Sequence, residues 1–170
     1  MIKFVRFNIY LCLTLGLLFA CGCETLSGSK KKEATIVELH LEVNPNDGSD
    51  SKPVQINRDN PFTVNVDSDA FLETSDIVEA KVVDDLGGFS IKLKFNWRGT
   101  ALLDSLTTAN KGKRVAVYCK FGKARWLASP VIHKRITDGV FIFTPDASRE
   151  EADRIVRGVN NIGVEVKKND

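Results

Sequence analysis

The sequence predicts an α+β domain, a mixed or antiparallel sheet with two main helices packed on it, and three stretches carry that prediction. In the first, Val78, Ala80 and Val82, with Val83 between, lead to Asp84 and Asp85; Gly87 and Gly88 turn the chain, and Phe89, Ile91, Leu93 and Phe95 then alternate with Ser90, Lys92, Lys94 and Asn96. Period two on either side of a double glycine reads as a β-hairpin. In the second, Phe95, Gly99, Leu102, Leu106 and Ala109 recur at spacings of four and three, with Leu103 widening the stripe, as one face of a helix does. Asn110, Lys111 and Gly112 end that helix, because a basic last turn suits the negative end of its dipole and glycine takes the left-handed backbone freely. In the third, Ser148 and Glu151 stand three apart as reciprocal caps, and Ala152, Ile155, Val156 and Val159 follow at helical spacing.

At the front of the chain, Lys3 and Arg6 precede an uncharged apolar run from Phe7 to Ala20. A comfortable membrane span needs roughly 20 apolar residues, so this run fits the core of an export signal better. It closes on Leu18, Phe19, Ala20, Cys21, Gly22 and Cys23, an order that resembles the lipobox of bacterial lipoproteins. The resemblance implies cleavage before a cysteine that carries lipid. Cys21 has leucine three places ahead but a bulky Phe19 between; Cys23 has Gly22 directly ahead but only Ala20 three back. The pattern favours Cys21 and leaves Cys23 open. An ordinary cleaved signal, or an uncleaved anchor with incidental cysteines, is the alternative. Residues 1–20 (or 1–22) are thus read as the signal, 21–33 as the lipidated cysteine and a polar linker, 34–68 as N-terminal strands and a loop, and 69–167 as the α+β domain.

Composition limits the functions available. With 170 residues, 43% hydrophobic and 27% charged, the chain can bury one core. Loss of residues 1–20 removes Lys3 and Arg6 and no acid, so 24 basic residues become 22 against 22 acidic ones. A formally neutral body lacks the concentrated basic face that nucleic acid requires. The run Lys30, Lys31, Lys32 keeps a tether soluble or touches anionic headgroups.

The body then reads in order. Ala34–Val43 alternates as a half-buried strand with His40 on its polar, solvated face. Asn44–Lys52 is a loop; its Asn44, Asn46, Asp47 and Gly48 do not make a calcium loop, because the glycine is misplaced and the closing glutamate is missing. Phe62, Val64 and Val66 start a strand, and Thr74, Ser75 and Asp76 cap a single helical turn before the hairpin. Beyond the first helix, Val115, Val117 and Cys119 alternate with Ala116, Tyr118 and Lys120; after Gly122, Ala124, Trp126 and Ala128 alternate with Arg125, Leu127 and Ser129 up to Pro130. Cys119 reads as a small buried hydrophobe, since no base or positive setting accompanies it. Val140–Phe143 is a short strand, and Gly163 is expected to release the second helix into a last strand through Val164 and Val166.

Several of these segments together resemble the head subdomain of the first periplasmic domain of SecD, an accessory subunit of the bacterial Sec preprotein translocase. The matching residues are Ser75-Asp76-Ile77 with Ala80; Ile91, Leu93, Phe95 and Gly99; Asn110 to Val117; Ser129-Pro130-Val131-Ile132; Ile136-Thr137-Asp138-Gly139; and Ser148, Glu150, Glu151 and Ala152. The likeness spans Asp69 to Ile162, while Trp97, Lys120 and Arg125 have no counterpart in the family pattern. It implies an α+β fold and a place outside the inner membrane. It does not imply proton-driven secretion, whose chemistry needs membrane segments that this sequence is not expected to supply.

The expected function is therefore that of an envelope lipoprotein, held to a membrane by its lipid and facing the periplasm or exterior. Its head-like module is expected to touch other proteins, exported polypeptides or the secretion machinery among them, through a sheet edge or an apolar groove. Trp126, Leu127, Pro130 and Val131 are the candidate surface, although alternation also admits a core placement for them. The alternatives are a structural or assembly lipoprotein unrelated to secretion, and a hydrolase built on paired carboxylates. Against an enzyme stand two scattered histidines and the lack of zinc spacing, a nucleophile elbow or a phosphate loop; no catalytic residue, metal or cofactor is assigned.

Overall fold

Period-two stretches become strands and four-residue spacings become helices over most of the body. A computed structural model describes residues 33–48 and 50–169; the signal run, Cys21, Cys23 and the linker through Lys32 lie outside the described residues. The strands are β1 (Ile36–Leu41), β2 (Ser51–Ile56), β3 (Phe62–Asp67), β4 (Leu72–Glu73), β5 (Ile77–Asp85), β6 (Gly88–Phe95), β7 (Val115–Phe121), β8 (Lys123–Ala128) and β9 (Val140–Phe143). The helices are α1 (Trp97–Ala109) and α2 (Arg149–Asn169). The strands form a four-stranded sheet in the order β4-β1-β7-β8, a three-stranded sheet β5-β6-β9 and the hairpin β2-β3, with every pairing antiparallel.

One core joins the two larger sheets and both helices: Val37, Leu39, Val117 and Leu127 meet Leu93, Phe141, Leu103 and Ile155, each at 5% exposure or less. A second cluster lies on the opposite face of the four-stranded sheet, where Val54, Ile56, Val64 and Val66 of the hairpin cover Ala116 and pack on Trp126. The second cluster corrects the reading of His40. That side chain is 2% exposed, because the hairpin roofs the face on which it stands. Its Nδ1 lies 2.9 Å from the Asp67 carbonyl oxygen, which supplies the partner that a buried imidazole needs.

Three further expectations change. The segment Asn44–Lys52 holds a short 3-10 turn at Pro45–Asp47, and β2 begins within it at Ser51; only Val54 and Ile56 of that strand point inward, too few to signal it. Helix α1 buries Gly99, Leu103 and Thr107, while Leu102 is 37% exposed and Ala109 is on the surface, so the buried face is rotated from the predicted one. The cause is that Phe95 ends β6 and Asn96 caps the helix by accepting the Gly99 N–H, which sets the phase from Gly99 onward. Finally, among the described residues no strand follows Gly163. Helix α2 runs on to Asn169, and Gly163 sits inside it, where a Cβ would lie 3.5 Å from the Ile77 carbonyl oxygen. Other signals hold: Gly112 turns at φ 90° after α1, and the Glu151 N–H donates to Ser148 Oγ at 3.2 Å at the start of α2.

Candidate functional site

A sheet edge offers unpaired N–H and C=O groups, so each edge in this fold has to be accounted for. At β5, Asn160 of α2 reaches across: its Oδ1 accepts the Ala80 N–H at 2.9 Å and its Nδ2 donates to the Ala80 carbonyl at 3.0 Å. At β8, the Leu127 carbonyl accepts the Asp146 N–H at 2.7 Å. Strand β2 carries Pro53, which has no N–H to offer, and β4 is two residues long. Strand β9 differs. Phe95 N–H donates to the Gly139 carbonyl, and the register continues through Leu93 opposite Phe141 and Ile91 opposite Phe143. Hydrogen-bonding alternates along an antiparallel ladder, so Val140 and Ile142 direct their backbone groups away from β6. Asp138 Oδ1 takes the Val140 N–H at 3.1 Å, which leaves the Ile142 amide on the open edge.

Beside that edge runs a groove of about 440 Å³ between β9 and the segment 130–138. Its far wall is pinned twice. Residues 130–132 extend the pairing of β7: Val115 N–H donates to the Pro130 carbonyl at 2.9 Å and Ile132 N–H to the Lys113 carbonyl at 2.8 Å. Residues 135 and 136 are tied to α1, where Arg135 makes a forked ion pair with Asp104 and Ile136 N–H donates to Thr107 Oγ1 at 3.0 Å. The hydrogen-bonded Arg135 guanidinium holds the Asp104 carboxyl below its usual range. A depressed carboxylate contributes above its unfolded value, about pH 4, and that contribution is lost as pH falls through the folded value. The lining combines apolar Pro130, Val131, Ile136, Val140 and Ile142, the last 51% exposed, with the exposed polar and charged His133, Lys134, Arg135 and Asp138.

The four residues of the predicted surface do not form one patch. Pro130 and Val131 line the groove. Leu127 belongs to the core at 1% exposure, because its side of β8 faces the helices. Trp126 points to the other face of the sheet, into a separate pocket of about 450 Å³. There its ring meets His40 edge-on at 5.1 Å and Tyr118 at 5.3 Å, with Lys52 Nζ at 5.8 Å from its centroid. Sequence reasoning missed Ile136, Val140 and Ile142. The available signal was the unbroken apolar run Val140–Phe143, in which one face of an edge strand has no core to enter.

The ionisable groups that a hydrolase would need are scattered. Asp84 pairs with Arg149 at 2.5 Å, Asp67 Oδ1 accepts the Asp69 N–H at 3.1 Å, and His133 is an exposed residue of the groove rim. Among the described residues no three His, Cys, Asp or Glu side chains converge as a metal site. Cys119 is 1% exposed, and burial pushes its thiol up to about 12, with Arg125 offsetting only part of the shift. We expect the Cys119 peptide to stay unmodified by a maleimide at pH 8 in the folded protein and to be alkylated fully in denaturant, read by mass spectrometry.

Fold and groove define a small α+β domain in which the edge of β9 lies open beside a partly apolar cleft. The chain belongs to the SecDF P1 head subdomain family, whose profile matches residues 51–158. Two solved structures share the fold. One is a membrane component SecDF that enhances protein export, at 19% identity and a TM-score of 0.54, covering 76% of this chain and 63% of that one. The other is SecDF in a super-membrane-facing form, at 20% identity and a TM-score of 0.56, covering 76% of this chain and 19% of that one. The chain thus spans less than two thirds of either structure. No curated protein matches it. Among the described residues no helix is long and apolar enough to cross a membrane.

Proposed function

We propose that this chain is an envelope lipoprotein, anchored through Cys21 or Cys23, whose head domain holds extended polypeptide along the open edge of β9 without catalysing a reaction. The observation that carries the reading is the pairing of an unsatisfied strand edge with a partly apolar groove whose walls are already fixed. An added strand would gain backbone hydrogen bonds from Ile142 and bury alternate side chains against Pro130, Val131 and Ile136, the division of labour found where peptides extend sheets. Prepinned walls lower the ordering cost of binding. Membership of the SecDF P1 head family supports exported chains as the polypeptide held, since the related SecDF structure is described as enhancing protein export.

The test is site-specific photocrosslinking in living cells, with the crosslinker at Val131 or, as control, at exposed Leu86 on the hairpin turn. Capture of secretory precursors from Val131 and not from Leu86 is the expected result. Capture of a single fixed envelope protein from Val131 would favour the assembly reading instead. The anchor is tested separately: a palmitate analogue should label the wild type and be lost in the Cys21→Ser/Cys23→Ser double variant.

A further inference from the structure

The outward face of the three-stranded sheet carries an arrangement that the groove alone does not explain. In β5 and β6, Lys81 stands directly opposite Lys92, and the neighbouring pair is Glu79 opposite Lys94. Like charges facing each other across a sheet are destabilising unless an anion shares them. Glu79 engages Lys81 at 2.8 Å. Among the described residues Lys92, Lys94 and Lys134 make no ion pair. The rows continue into β9, where Ile142 lies beside Lys92 and Val140 beside Lys94. The next place in each row is the open edge. A strand added there would set its outward side chains past Ile142 and Val140, within reach of two long lysine side chains. Lys134 lines the groove from the other side.

We infer that the edge of β9 selects extended segments that alternate apolar with acidic residues, the apolar ones entering the groove and the acidic ones lying over Lys92 and Lys94. This rests on the proposed polypeptide-holding function and adds the chemistry of what is held. The inward positions meet Pro130, Val131 and Ile136, so they must be apolar. The outward positions meet Lys92 and Lys94, two cations against one acid, since Glu79 lies across from Lys94 but makes its ion pair with Lys81, so acidic residues there gain and basic residues lose. Because these groups are solvent-facing, the preference is modest and falls with salt.

The experiment uses the full-length protein in a neutral detergent and three fluorescent decapeptides that alternate valine with glutamate, with serine or with lysine. Anisotropy is read at roughly 0.02 M and 0.5 M salt, on either side of the screening length of an exposed pair. The glutamate peptide is expected to bind about tenfold more tightly than the lysine peptide at low salt, with the gap closing at high salt. Lys92→Glu/Lys94→Glu should reverse the order; should that variant fold poorly, Lys92→Gln/Lys94→Gln should abolish the preference while leaving the serine peptide bound. Equal binding of all three peptides, or preference for lysine, would overturn the charge selection and leave the groove reading intact. Binding of none would overturn both.

Discussion

Gly158→Ala is expected to lower the stability of the domain by about 2 kcal/mol, although alanine is the better helix former by about 1 kcal/mol. Gly158 lies within α2 against Thr35, the buried residue just ahead of β1. A Cβ at position 158 would come 2.8 Å from Thr35 Cβ and 3.0 Å from its backbone nitrogen, closer than such atoms settle, and Thr35 is 0% exposed with nowhere to move. Overpacking of this kind costs about 3 kcal/mol, which outweighs the propensity gain. Urea unfolding should show a lower midpoint with an unchanged slope. Thr35→Gly placed in the same chain should recover part of the loss. A more stable Gly158→Ala protein would mean that α2 and β1 are not locked together at this seam.

The second large effect falls on binding. Ile142→Pro should leave the fold within about 1 kcal/mol of wild type and weaken peptide binding by at least about tenfold. Proline is tolerated where a strand's N–H points away from its neighbour, and the register places the Ile142 amide outward. The same substitution removes the one donor that an incoming strand would use there and puts a ring in its path. Thermal unfolding checks the first half and anisotropy with the alternating peptides the second. If binding survives, the groove holds its ligand by side chains alone. If the protein unfolds, Ile142 belongs to the ladder and the edge is not open.

How much of this was legible in the sequence follows from where each signal came from. The hairpin of β5 and β6, the stop at Gly112 and the start of α2 at Ser148 are local statements, and local chemistry was enough for them. His40 was not, because what buries it is a hairpin distant in sequence, one strand of which shows only Val54 and Ile56 as apolar markers. Thr74 illustrates the same limit. As a helix-start residue it signalled the turn at Thr74–Asp76, yet the reciprocal caps there are Glu73 and Asp76. Thr74 Oγ1 instead bridges to β1, accepting the Val37 N–H at 2.6 Å and donating to the Val37 carbonyl at 3.0 Å. Gly163 misled because a glycine that admits a close neighbour looks the same in sequence as one that ends a helix. Of the groove, Pro130 and Val131 were visible as an apolar turn, but the edge that gives them a partner depends on which strands pair, and nothing in the run Val140–Phe143 states its neighbours.

Hydrogen exchange at the Ile142 amide, measured residue by residue with and without a saturating alternating peptide, tests the polypeptide-holding edge most directly. Slowing by at least about tenfold at Ile142, with little change at the Ala80 amide already held by Asn160, is the result expected of a strand added to β9. Unchanged exchange at Ile142 while the peptide remains bound, or protection confined to the pocket around Trp126, would contradict it.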